Sequence, residues 1–222
     1  MKRKQGSLWI TVGLLLLAAA LLLTVYNVWD AHRASRSVDR LTRQIAVVHT
    51  AAHTEVVLPA QETQSISPEA ASPMIEETEI PDYILNPDMD MPTENIGGWD
   101  LIGVLEIPAC DLTLPIIGEW SYPALKAAPA RYAGSVYKDN LVIAGHDYKS
   151  HFGKIYTLQI GDAVIFTDMD DNVFCYTVSE IEILQPTDIE EMLSGVYDLT
   201  LFTCTYSGQS RLTVRCDRAE AH

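Results

Sequence analysis

Thr200 to Arg211 reads T-L-F-T-C-T-Y-S-G-Q-S-R. An apolar run ends on Cys204, a Ser-Gly turn follows, and Arg211 opens a second run, R-L-T-V-R-C, over residues 211–216. The pattern is strand, turn, strand, and it sets a candidate nucleophile beside a candidate oxyanion binder. A thiolate attacking a carbonyl leaves negative charge on oxygen, and a fixed guanidinium can stabilise that charge without losing its proton. A free thiol near pKa 8.5 is only a few per cent thiolate at neutral pH, so it needs a base or a cation beside it. Upstream, L-V-I-A-G-H-D over residues 141–147 is another apolar strand. It delivers His146 at its carboxyl end, where strand-end side chains commonly meet in a site.

Outward from these two segments the chain continues to read as strands: 101–107, 112–117, 141–144, 163–167, 173–184, 199–203 and 212–216 are short runs rich in Val, Ile, Leu and Thr. Residues 169–172 read as a hairpin loop, and 123–128 and 189–193 as brief helices. Closely spaced strands with few helices predict a mainly β fold, a closed or nearly closed barrel.

Ahead of the barrel the chain changes character twice. No residue from Gln5 to Trp29 is charged, and residues 8–28 as a helix would rise roughly 32 Å, the thickness of a bilayer core. Lys2, Arg3 and Lys4 precede this span, so the positive-inside rule places the amino terminus in the cytoplasm and the rest outside. Arg33, Arg36, Arg40 and Arg43 on the outer flank run against that rule, with only Asp30 and Asp39 to offset them. An uncleaved signal anchor is preferred to a cleaved signal peptide, whose apolar stretch is usually shorter and ends in small residues. Val38, Leu41, Ile45 and Val48 recur at helical spacing and suggest a short membrane-proximal helix, expected to act as a stalk without a specific partner. Residues 55–94 hold ten acids, six prolines and no Lys or Arg. They read as a disordered acidic spacer that lets the following domain roam near the membrane surface. The expected organisation is a basic cytoplasmic tail (1–7), a transmembrane anchor (8–28), a stalk and linker (29–97) and one catalytic domain (98–222).

After residue 43 the chain carries eight bases against 28 acids, which excludes nucleic acid as a natural partner. Cys110, Cys175, Cys204 and Cys216 show no zinc spacing, so no metal is expected; Cys110 with Cys175 is an open disulfide pairing, and Cys216 fits a core position. No Walker loop or dinucleotide glycine pattern is present, and no cofactor is expected.

G-H-D after an apolar strand, together with T-L-x-T-C and a following arginine, resembles the sortases, membrane-anchored cysteine transpeptidases of Gram-positive bacteria. The resemblance extends from about Trp99 to Cys216. It takes in I-G-V-L-E-I-P with the later L-P-I, and H-F-G-K-I-Y-T-L-Q-I-G-D after the histidine. It implies an eight-stranded barrel. It also implies that Cys204 attacks the Thr–Gly bond of an L-P-x-T-G-like sorting signal, with His146 as acid and then base. Its expected partners are sorting-signal-bearing surface proteins or pilins, and an amine of a peptidoglycan precursor or a pilin lysine as acceptor. Arg211 is preferred over Arg215 as the oxyanion binder: both share one face of their strand, but Arg211 is nearer the turn, leaving Arg215 as a surface or salt-bridged residue. Thr203 and Tyr206 are secondary substrate-binding candidates. Asp147 is either a tuner of the histidine or an exposed loop acid, and His151 is expected to open a helix rather than do chemistry. The competing reading is a non-catalytic, membrane-tethered β-barrel binding module.

Overall fold

A computed structural model describes residues 3–54, 80–205 and 207–219. Helix α1, Arg3–Thr54, is continuous over 52 residues. Among the described residues it is one helix long and apolar enough to cross a membrane, and none of its apolar window is buried against protein. Its amino-terminal half thus has the all-round apolar surface of a helix in lipid.

Nine strands follow: β1 Glu94–Ile96, β2 Trp99–Ile107, β3 Leu112–Ile117, β4 Ala130–Ala133, β5 Leu141–Gly145, β6 Ala163–Asp168, β7 Val173–Leu184, β8 Leu199–Cys204 and β9 Arg211–Arg218. Eight of them close a barrel in the order β2-β3-β4-β5-β8-β9-β7-β6, and β6 pairs back onto β2 from Gly103↔Asp168 to Glu106↔Ile165. β1 is an added hairpin strand on β2. Closure leaves no edge strand in the ring itself. The interior is filled by residues such as Leu105, Ile116, Ile143, Phe166, Leu201 and Val214, each fully buried and each worth about 1.5–3 kcal/mol of burial. The β6–β7 turn is held by the Asp168 carboxylate, which accepts from the backbone N–H groups of Asp170 and Asn172 at 2.9 Å and from the Tyr137 hydroxyl at 2.7 Å. Two one-turn helices, α3 Tyr122–Leu125 and α4 Ile189–Met192, lie on connections; a third, α2 Asp82–Leu85, precedes β1.

Two expectations about the segments before the barrel are corrected. The apolar seam on α1 has a partner, which is the barrel: Ala34, Val38, Leu41 and Ile45 are buried, the last three in the same core cluster as Met91 and Ile96. Gly97, with φ of 63°, turns β1 into β2 beneath the helix, and a Cβ there would lie 3.0 Å from Leu41. Part of the acidic spacer is also ordered. Tyr83 stacks on Tyr137 with centroids 4.8 Å apart, and Met91 is buried, so residues 80–97 are fastened to the barrel by a few apolar anchors that outweigh the local acidity. With α1 docked, the barrel is held beside the helix rather than roaming on a free tether. The rest of the spacer, 55–79, lies outside the described residues. Of the two alternatives open for the cysteines, the free state holds for all four: Cys110 is buried against the Lys154 carbonyl while Cys175 is exposed.

Candidate active site

β5 and β8 run parallel and adjacent, with Gly145 opposite Thr203. The residues that follow, His146 just beyond β5 and Cys204 as the last residue of β8, therefore lie side by side at the same end of the sheet. β8 and β9 pair antiparallel, with Cys204 opposite Arg211. Three residues separated by up to 65 positions in sequence thus converge through strand register alone. All three line one cavity of about 300 Å³.

The cavity is walled by aromatic and aliphatic side chains. Trp120 packs edge-on to Tyr132 (5.8 Å between centroids), and Tyr132 edge-on to Phe202 (5.3 Å). Leu125 of α3 and Ile189 and Met192 of α4 complete it. Such a lining with a few convergent polar groups is typical of a binding cleft.

The histidine loop is pinned beneath its ring. Phe152 donates its backbone N–H to the His146 carbonyl at 3.1 Å, and His151 and Gly153 both donate to the Tyr148 carbonyl, at 2.9 and 2.8 Å. Phe152 packs against Gly145, where a Cβ would stand 2.5 Å from the ring, so only glycine fits before the histidine. Partial burial lowers the proton affinity of His146 below the ordinary imidazole value; Asp30 on α1 opposes that shift and Lys126 adds to it. Asp30 accepts a hydrogen bond from Tyr148, whose ring lies 4.9 Å from that of His146. Sequence reasoning missed this contact, because nothing in the anchor's flank signals that it returns to the site.

The remaining candidates separate clearly. Thr203 lines the same cavity; it is buried, its hydroxyl has no partner among the described residues, and strand alternation turns its side chain away from that of Cys204. Tyr206 lies outside the described residues. Arg211 is half-exposed and donates to the carbonyls of Ser210 (3.2 Å) and Gly208 (3.4 Å). Arg215, left open as surface or salt-bridged, is fully buried and paired with Glu182 at 2.8 Å. Asp147 is an exposed loop acid whose carboxyl is pushed up by partial desolvation. His151 lies in the turn H-F-G-K that leads into a short 3-10 helix, Ile155–Thr157, capped by Lys154. It is fully buried 6.4 Å from His146, and burial, then the neighbouring His146, holds its pKa down to about 3. Cys216 is a core residue whose thiol burial pushes up to about 12. Among the described residues, no three His, Cys, Asp or Glu side chains gather as metal ligands.

Comparison with known proteins agrees with this architecture. No curated protein matches the sequence. Sortase C of Streptococcus pneumoniae, from a structure described for catalysis and pilin substrate specificity, is 27% identical with a TM-score of 0.50, over 55% of this chain and 70% of that one. The Clostridium perfringens Sortase D5 transpeptidase shares the fold at 24% identity and a TM-score of 0.50, over 57% of this chain and 83% of its own. The sortase domain profile matches residues 105–219, more than half of the chain. By that match the chain belongs to the sortase family of cysteine transpeptidases.

Proposed function

We propose that this sortase cleaves an L-P-x-T-G-like sorting signal and transfers the acyl group to an amine. The observation that carries the reading is the convergence of Cys204, His146 and Arg211 on one apolar-walled cavity. As the Cys204 thiol gives its proton to His146, its sulfur attacks the threonine carbonyl, and the developing oxyanion is met by the Arg211 guanidinium. His146 donates a proton to the departing glycine amine as the C–N bond breaks, leaving a thioester on Cys204. An incoming amine gives a proton to His146, attacks the thioester, and releases the thiol. Burial favours neutral imidazole at His146, the form needed by a base. The Trp120–Tyr132–Phe202 wall suits the Leu and Pro side chains of such a signal. Acceptors are an amine of a peptidoglycan precursor or a pilin lysine, and the substrates are surface proteins or pilins. The helix over 8–28 is an anchor with the amino terminus in the cytoplasm and the barrel outside.

The test is ligation. Full-length protein incubated with an L-P-x-T-G-type peptide library and an amine gives a ligated product, and hydroxylamine traps the thioester as a hydroxamate. Cys204→Ala abolishes both signals; ligation by Cys204→Ala at the wild-type rate would remove the reading.

A further inference from the structure

A second cavity adjoins the catalytic one and has no part in the chemistry above. It is a groove of about 660 Å³ between α1 and the barrel. The α3 turn is the wall between the two: Tyr122 and Leu125 face the site of Cys204, whereas Pro123 and the following Lys126 face the groove. Arg33, Arg36 and Arg40 line its helix side, and among the described residues no carboxylate lines it. Arg33 is engaged by Asp30 at 3.2 Å. Arg36 and Arg40, both exposed, make no ion pair among the described residues, and neither does Lys126. Four like charges within one cavity repel one another, and they do so in a chain whose formal net charge is −15. The concentration is therefore unlike the rest of the molecule, and an anion would relieve it.

Position selects the anion. Counted from Val28, the last residue of the apolar span, Arg33, Arg36 and Arg40 rise about 8, 12 and 18 Å along the helix. The polar headgroup layer on each side of a bilayer is about 5–8 Å thick. The lower end of the groove, at Trp29 and Arg33, therefore lies in that layer, and Arg36 and Arg40 start about 4 and 10 Å above it with side chains that lean toward the helix amino terminus and so toward the lipid. Trp29, an aromatic of the kind that favours the interface, stands at its lower end with the Arg33 guanidinium 5.6 Å from its ring. We propose that this groove binds the phosphate-bearing headgroup of an anionic membrane lipid, with Arg36, Arg40 and Lys126 as the phosphate-facing cations. The site accounts for arginines on the flank that the positive-inside rule leaves poor in cations.

Full-length protein in neutral detergent is mixed with phosphatidylglycerol, phosphatidylcholine or inorganic phosphate, and retained adducts are counted by native mass spectrometry. Wild type retains phosphatidylglycerol in preference to the other two. Arg36→Gln/Arg40→Gln/Lys126→Gln reduces that retention about tenfold or more, since each juxtamembrane cation contributes on the order of a factor of five. Arg36→Gln alone, an exposed helix substitution that folding tolerates, reduces it about fivefold. Arg43→Gln, on the same helix but outside the groove, changes nothing. Equal retention of phosphatidylcholine, binding of inorganic phosphate as tightly as the lipid, or undiminished retention by Arg36→Gln and the triple variant would each overturn the proposal. No peptide substrate enters the measurement, so its outcome is independent of the ligation test.

Discussion

Arg211 and Arg215 lie four residues apart on one face of β9, opposite Cys204 and Thr200 of β8 respectively. Their circumstances are opposite. Arg215 is fully buried and every nitrogen is used: Nε to Glu182 at 2.8 Å, Nη1 to the Thr200 hydroxyl at 3.0 Å and the Met192 carbonyl at 3.1 Å, and Nη2 to the Glu191 carbonyl at 2.8 Å. Arg211 at the mouth of the cavity uses Nη1 alone, on two local carbonyls. Strand parity gives both residues the same face, but depth decides what each can do. A guanidinium with every nitrogen engaged fastens α4 over the sheet. One with spare donors at an open cleft can bind charge that appears only during a reaction.

The contrast breaks first at its buried member. Arg215→Ala strands the Glu182 carboxylate and two carbonyls of α4, those of Glu191 and Met192, and removal of one partner of a buried pair costs about 3–5 kcal/mol. Denaturant titration should show that loss, and a change below about 1 kcal/mol would mean that Arg215 is not structural. Arg211→Ala is the mirror case. It should lower the rate of ligation roughly a hundredfold, about 2.7 kcal/mol in the transition state, while the denaturation midpoint stays at the wild-type value. Wild-type turnover by Arg211→Ala would return the oxyanion role to another group.

The difference between these arginines also marks what the sequence could convey. Alternation places residues 211, 213 and 215 on one face, and the Ser-Gly turn puts 211 near Cys204; neither pattern carries burial. The strands over 112–117 and 173–184 are legible to the residue, because their β-branched and apolar runs are long and bounded. β4, A-R-Y-A, is not legible, being four residues held to β3 by a single parallel pairing, Ile117↔Ala130. β1, three residues inside an acidic stretch, is equally silent. Both owe their strand conformation to neighbours already in place rather than to propensity. The convergence of His146 and Cys204 was readable only through strand ends and family likeness, since the parallel β5–β8 register is a long-range property. The contact of Asp30 with Tyr148 had no local signal at all.

That contact ties the open half of the site to α1, and it offers a way to sharpen the comparison. Leu41 is buried between the helix and the Gly97 turn. Leu41→Ala should weaken helix docking by about 2 kcal/mol, the low end for a buried leucine at the edge of a core. Hydrogen exchange should then rise in residues 94–101 and around Tyr148, with no change in β9 beneath Arg215. Exchange that rises equally in both places would show that the mouth and the sealed base are one cooperative unit.

The two histidines repeat the arrangement of the two arginines on a smaller scale. His146 opens to the cavity, and His151, 6.4 Å away, is sealed, with neither ring nitrogen bonded among the described residues. Its pKa of about 3 lies below the ordinary 6.5 because burial, and then His146, penalise the charged ring. The folded protein thus binds fewer protons than the unfolded chain between those values. Above pH 6.5 both states hold a neutral ring and no penalty exists; as pH falls from 6.5 towards 3, stability drops by about 1.4 kcal/mol per pH unit from this residue. The lowered value of His146 acts in the same direction. His151→Phe keeps the ring packed against Tyr148 while removing the proton site, so its stability between pH 6 and pH 4 should decline less steeply than that of wild type by about that amount per unit. Parallel slopes for the two proteins would mean that water or a proton already reaches His151, and the sealed member of the pair would have to be reassigned as part of the open site.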